Sequence, residues 1–224
     1  MKQEKKILSF VKRNGRRLSN NKQNLFKCIL PECEILETNT FLNDIVNSNK
    51  ECHLEIGYGG GEHLAFQAMN NKEDNFIGCE IFLQGTAKLL NKISENNIDN
   101  IFIYQNNAID LITQLPDDFL SKIFLLFPDP WPKKRHYKRR IVNDDNLNLF
   151  AKKLKKRGLL RIVTDHDNYA SWIIAKLINN NNYIWDCNAV RDWYNHPKDW
   201  YKTKYQIKSL AKGEKNYFFD FISS

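Results

Sequence analysis

The sequence predicts an α/β fold: a doubly wound, Rossmann-like, mostly parallel sheet with an antiparallel pair at its C-terminal edge. Three observations carry that expectation. Short, almost wholly apolar runs alternate with helical patterns from Cys52 onward, and strands of that kind are buried on both faces, as in parallel sheets. The first run passes directly into Gly57-Tyr58-Gly59-Gly60-Gly61, a turn placed where such sheets bind ligands. Near the end the pattern changes to plain alternation at residues 183–187 and 217–222, with no good helix between them, which suits an antiparallel edge pair.

The elements follow in chain order. Residues 1–40 read as a basic arm. Its stretch 5–17 is rich in Lys and Arg, carries one apolar cluster (Ile7, Leu8, Phe10, Val11) and lacks a helical period. A solvated terminus is the plain alternative. A helix is expected near 41–47. Then come a strand at 52–56 (CHLEI), a helix at 62–69, a strand at 75–80 (NFIGCE) and a helix at 83–95. A third strand at 101–105 leads to a short helix after Ala108. A fully apolar strand spans 122–127 (KIFLLF), and a helix spans 143–156, ended by Gly158 as a C-terminal cap. A strand at 159–163 and a helix at 168–178 complete the alternation. With 224 residues and roughly 150 per domain, residues 41–224 are expected to form one domain behind the arm.

Composition narrows the function. Hydrophobic residues make up 42% and charged residues 27%, which excludes a disordered tail and a membrane-embedded chain. The balance of 34 Lys and Arg against 26 Asp and Glu gives +8, a surplus that suits a polyanion partner. None of the five cysteines forms a C-x-x-C pair, so a zinc ribbon or thioredoxin-like motif is not expected. Cys52 and Cys79, in apolar strings, read as buried reduced thiols of a cytoplasmic protein. The first twenty residues lack the apolar run of a signal peptide.

The glycine turn constrains the ligand. Gly57 and Gly59 would let backbone approach it closely. The dinucleotide fingerprint needs a third glycine where Glu62 stands, and a glutamate at a helix start would repel a pyrophosphate. Glu80 ends the second strand about 20 residues after Gly57, the spacing of an acid that grips ribose hydroxyls. Asn107-Ala108, after the third strand, could bond an adenine edge, and Glu55, near the end of the first, could hold an ammonium. Together these groups suit S-adenosylmethionine, with S-adenosylhomocysteine as product. Taken singly, each also reads as a tight turn or a solvated strand end.

The segment Phe127-Pro128-Asp129-Pro130-Trp131-Pro132-Lys133-Lys134-Arg135-His136-Tyr137-Lys138-Arg139-Arg140 is the most specific. Its prolines are expected to hold an extended, stiff loop that presents Asp129 at a strand end. Trp131 offers a face for stacking a base. Six of the eight positions from Lys133 to Arg140 are basic, so Arg135, Lys138, Arg139 and Arg140 are expected on an RNA backbone. A basic run alone is more often a solvated face; here it adjoins a rigid acid and an aromatic. His136 reads as a surface residue, and no metal site is expected.

At this point the chain resembles the bacterial tRNA (guanine-N7)-methyltransferases, of the class I S-adenosylmethionine-dependent fold. FPDPWPKKRHYKRRIV is the most specific shared segment; LEIGYGGGEHL, FIGCEIF, LLRIVTD and TKYQIKSLAKG follow it. The resemblance implies methyl transfer to N7 of a guanosine in the tRNA variable loop (position 46 of tRNA). It implies that Glu55, Glu80, Asn107 and Asp129 line the methyl-donor site and that Asp129 is catalytic. It further implies that Lys133, Asp165, Thr203, Lys204, Tyr205 and Gln206 contact the guanosine. Asn107 and Gln206 depart from the pattern, which more often has Asp and Glu there. The segment Arg13-Asn14-Gly15-Arg16 resembles one bordering the active site, and no single role is carried over. Monomer and homodimer are both compatible with the sequence.

Guanine N7 has a free lone pair and needs no deprotonation, so alignment would be the main task. Asp129 or Asp165 would stabilise the cationic product ring; general-base action by Asp129 stays open. The rivals are methylation of another RNA base or of a protein, and a non-catalytic RNA-binding module.

Overall fold

The computed structural model describes residues 17–36 and 41–224. Among these, one sheet holds β1 (Cys52–Ile56), β2 (Asn75–Cys79), β3 (Ile101–Tyr104), β4 (Leu120–Leu126), β5 (Leu154–Thr164), β6 (Tyr183–Trp185) and β7 (Tyr217–Ser223). The strand order is β3-β2-β1-β4-β5-β7-β6. β1 to β5 are parallel, and β7 lies antiparallel between β5 and β6. The order reverses between β1 and β4. Ile56 pairs with Cys79 on one side and Leu125 on the other, so the carboxyl ends of the central strands lie level. Such a reversal opens a ligand crevice.

Side-chain alternation separates two faces. Leu54, Ile77, Ile123, Leu160 and Phe219 point to a core that also holds side chains of α5 (Ala108–Gln114), α6 (Asp144–Lys153) and α7 (Asp167–Ile178). Side chains of α3 (Glu62–Asn70) and α4 (Leu83–Asn96) share a second cluster with Phe76, and Leu25 and Phe26 of α1 (Asn20–Cys28) pack against it. Between α3 and β4, β5 and β7 that second face is not apolar. It carries Glu55, Arg161 and Asp220 among Phe124 and Phe218.

The fold differs from expectation at three places. First, residues 1–16, including Arg13 to Arg16, lie outside the described residues, but the described part of the expected arm packs on the domain. Ile35 N–H donates to Ile103 O (2.8 Å), Ile103 N–H donates to Cys33 O (2.7 Å), and Leu30, Cys33 and Ile35 are buried. Helix α1 itself has no fully buried residue, so its sequence shows no clear apolar stripe. Second, α6 ends at Lys153 rather than 156, and Gly158 is no helix cap. Lys153 is buried and donates to Leu115 O (2.6 Å) and Asp117 Oδ1 (2.8 Å), while Leu154 already pairs with Leu120. The lysines read as helix formers, but the sheet takes them. Third, α8 (Lys204–Ala211) stands between the last two strands. Its pattern is inverted: Gln206 and Ser209 are buried while Ile207 and Leu210 are exposed.

Candidate active site

At the carboxyl ends of β1, β2 and β3 lies a cavity of about 550 Å³, within the size range of small-molecule sites. Gly57, Glu80, Asn107 and Ala108 form its inner wall; Trp131 and residues 138–141 and 143–146 face them. Glu80 is held by three backbone donors. Its Oε2 accepts from Gly59 N–H (3.0 Å), and its Oε1 accepts from Ile81 N–H (2.8 Å) and Phe82 N–H (2.9 Å). A carboxylate has roughly four acceptor sites, so capacity for a sugar hydroxyl is left. Gly59 has φ +55°, open to glycine without strain. Helix α4 comes so close to it that a Cβ on Gly85 would collide with Gly59 O. Asn107 caps α5, its Oδ1 accepting from Ile109 N–H at 3.2 Å.

Glu55 is not part of this wall. It is buried (3% exposed), and its Oε2 sits 2.7 Å from His63 Nδ1. The expectation of a ligand ammonium on Glu55 therefore meets a carboxylate already engaged by an imidazole.

The proline loop is not extended, as its prolines led one to expect. Phe127 and Trp131 precede prolines yet adopt φ +52° and +42°, a conformation that is costly for aromatic residues, on the order of 1–3 kcal/mol each. Several contacts hold it. Phe127 N–H donates to Val163 O (2.7 Å), and the Phe127 ring packs on Tyr205 (4.9 Å). Arg139 lies over Trp131 (4.9 Å). Arg140 is 1% exposed; its Nε donates to Pro130 O (2.8 Å) and its Nη2 to Asn168 Oδ1 (2.8 Å). Its guanidinium lies 3.7 Å from the Tyr137 ring centre.

Arg140 is thus not free for an RNA backbone, contrary to the sequence reading. Arg135 and Lys138 are exposed, and Arg139 is partly so. Arg140→Ala is expected to cost roughly 2–4 kcal/mol, because charge-assisted bonds and a cation–π stack go together. Thermal unfolding measures it, and a loss below about 1 kcal/mol would reject the pinning role.

A second group of side chains gathers beyond Trp131. Tyr205, on α8, is hydrogen-bonded to Asp165 and packs on Phe127 (4.9 Å). Burial first, then the Asp165 charge and a hydrogen bond to Asp165, push its phenol up to about 12; Asp129 adds to this. Asp129 and Lys133 are exposed at the loop. The remaining residues expected on guanosine do other work. Thr203 Oγ1 accepts from Gln206 N–H (3.2 Å) as the cap of α8. Lys204 N–H donates to Glu62 Oε2 (3.1 Å). Gln206 is fully buried; its Oε1 accepts from Trp200 Nε1 (2.8 Å) and its Nε2 faces His196 Nε2 (3.1 Å). The departure from Glu at 206 therefore falls in a packed interior rather than on the site surface.

Sequence reading missed Glu62, His63 and Gln67 on α3, which had only been weighed as a helix start. It also missed the outer wall 143–146. The run Asn143-Asp144-Asp145-Asn146 looks like ordinary capping chemistry, and Asn143 does cap α6, its side chain accepting from Asn146 N–H at 3.0 Å. Among the described residues no cluster of three or more His, Cys, Asp or Glu is arranged for a metal, and no helix is long and apolar enough to cross a membrane.

This strand order, with one antiparallel strand slotted beside β5 and a cavity at the carboxyl ends of β1, β2 and β3, defines a methyltransferase fold. Solved structures agree on the fold. The chain superposes on the 16S rRNA methyltransferase KamB with TM-score 0.60 at 11% identity, over 84% of this chain and 94% of that one. It matches an antibiotic-related methyltransferase with TM-score 0.54 at 20% identity, over 85% and 96%. A family model described as "Putative methyltransferase" matches residues 49–219. The tRNA (guanine-N(7)-)-methyltransferase of Zymomonas mobilis subsp. mobilis is 38% identical over 94% of this chain and 91% of its own length. That of Wolbachia pipientis wMel is 39% identical over 85% and 83%. The chain belongs to the tRNA (guanine-N7)-methyltransferase family.

Proposed function

We propose that this chain transfers a methyl group from S-adenosylmethionine to N7 of a guanosine in the variable loop of tRNA. The observation that carries the reading is the course of one loop: Trp131 walls the nucleoside-sized cavity, Phe127 four residues earlier packs on Tyr205 (4.9 Å), and Asp129 is exposed between them. Similarity over more than nine-tenths of both chains to tRNA (guanine-N(7)-)-methyltransferases supports the same activity.

The cavity residues fit the donor. Glu80 would take a ribose hydroxyl on the acceptor capacity its backbone bonds leave, and Asn107 and Ala108 would border the adenine. Glu55 stands off this wall, with its Oε2 2.7 Å from His63 Nδ1. When bound, the donor supplies an electrophilic methyl on a sulfonium. Guanine N7 brings its own lone pair, so no residue need remove a proton before transfer. The chain's task is to align the base and to offset the positive charge that builds on the ring. Asp129 on the loop and Asp165, which is hydrogen-bonded to Tyr205, would supply carboxylates for that charge and acceptors for the N1–H and amine edge. Lys133, Arg135, Lys138 and Arg139 would neutralise phosphates, with shape selecting the folded RNA.

Labelled S-adenosylmethionine and unmodified tRNA test this. Borohydride–aniline cleavage, which cuts at N7-methylguanosine, should give one cut in the variable loop, lost when that guanosine is replaced by adenosine. Label incorporation without the cut would move the target to another atom.

A further inference from the structure

Glu62 interrupts the glycine fingerprint, and the activity proposed above leaves it without a task. In the fold it opens α3, one residue after the glycine turn. Its carboxylate crosses to the far end of the chain, where Oε2 accepts the N–H of Lys204, the first residue of α8 (3.1 Å). That donor is one of the four a helix start leaves unpaired. A carboxylate there also faces the positive end of the helix dipole. Thr203 satisfies a second donor two residues on, so α8 is capped by its own chain and by α3.

Three further contacts run along the same side of α3. His63 packs against Trp200 (ring centres 5.4 Å), Phe66 against Tyr201 (5.0 Å), and Gln67 Nε2 donates to Asp199 O (2.7 Å). Residues 62, 63, 66 and 67 share one helix face, and their partners are 204, 200, 201 and 199 in that order. Residues 199–204 therefore run along α3 as a strap, with 204 at the start of the helix and 199 a turn further on. One end of α3 continues the glycine turn; the strap's end begins the helix that presents Tyr205 to Asp165 and to Phe127 of the proline loop.

We infer that Glu62 and Gln67 are positioning residues, which set α8 and Tyr205 in register with the glycine turn and so align the acceptor base with the methyl donor. The inference rests on the methyl-transfer reading above. Neither residue touches the cavity, so both act through the strap. Alignment errors of about 1 Å can cost on the order of a hundredfold in rate.

The test uses the full chain with Glu62→Ala, Glu62→Gln and Gln67→Met. Three quantities are measured: affinity for S-adenosylhomocysteine by calorimetry, tRNA affinity with that ligand bound, and the single-turnover methyl-transfer rate at saturation. Glu62 is partly exposed, so its variants should fold, and melting temperatures check this. Glu62→Ala and Gln67→Met should each slow transfer about tenfold or more, with the S-adenosylhomocysteine affinity within about twofold of wild type. Glu62→Gln keeps the acceptor oxygen and should restore most of the rate. An unchanged rate in both disrupting variants would overturn the inference. So would a loss of ligand affinity matching the loss of rate, which would make these residues part of the donor site. Absence of ligand binding by the wild type would instead sink the methyl-transfer reading, and the inference with it.

Discussion

Asp129→Ala should lower the single-turnover rate of methyl transfer on the order of 10²–10³-fold, the scale seen when one preorganised electrostatic partner of a transition state is removed. The tRNA dissociation constant should change by less than about threefold, because backbone affinity is spread over many basic side chains. The reasoning starts from the loop. Phe127 and Trp131 hold left-handed backbone on either side of Asp129, and a strained conformation persists only where its surroundings over-determine it. Those surroundings are Val163 O, the Tyr205 ring, Arg139 and the buried Arg140. The result is an exposed carboxylate on a loop whose backbone is fixed on both sides of it. Asp129→Asn separates the two roles that remain open. If the carboxylate mainly offsets charge on the ring, the amide should be nearly as slow as alanine. If it mainly orients the base through an acceptor oxygen, the amide should recover much of the rate. A rate for Asp129→Ala within about tenfold of wild type would reduce Asp129 to a loop-forming residue.

The central sheet was legible because buried parallel strands leave few choices. CHLEI and KIFLLF cannot be solvated, and the residues 52–56 expected for the first strand match β1. The cavity's inner wall was legible for the same reason: glycines and a strand-end acid are local signals with a physical cause. What stayed hidden depends on pairing across long sequence separations. Arg140 belongs to a basic run, and nothing local tells a phosphate-binding arginine from one buried against Tyr137 and Asn168. Helix α8 was missed because it buries its polar side. Gln206 and Ser209 satisfy Trp200, His196 and Asn216 inside the fold, while Ile207 and Leu210 face outward. The polar face between β4, β5, β7 and α3 was missed likewise, since each of its charges reads in sequence as a surface residue.

Arg161 shows how much that hidden face bears. It sits inside the run LLRIVTD, on β5, where an apolar residue would fit the strand pattern, and it is 4% exposed. Its Nε and Nη2 donate to both carboxylate oxygens of Asp220 (2.8 and 2.7 Å), and its Nη1 donates to Asp199 (2.7 Å). One guanidinium thereby joins β5 to β7 and fastens the head of the segment 199–204 to the sheet. Arg161→Met keeps most of the volume and removes the charge. It leaves Asp220 beside an apolar side chain, and breaking one side of a buried pair costs about 3–5 kcal/mol. Asp199 is 39% exposed and keeps Lys122 at 3.7 Å, so the lower end of that range is expected. For a chain of this length about 3 kcal/mol corresponds to a fall of roughly 6–12 °C in melting temperature. Adding Asp220→Leu removes the orphaned charge and should recover part of the loss, since replacing a whole buried pair by apolar residues is often near neutral. Transfer should not recover with it, because Asp199 would still lack its short bond to β5 and keep only the longer contact to Lys122 on β4. A melting temperature for Arg161→Met within about 2 °C of wild type would mean that the cluster is solvated and the strap is held by α3 and Lys122 without Arg161.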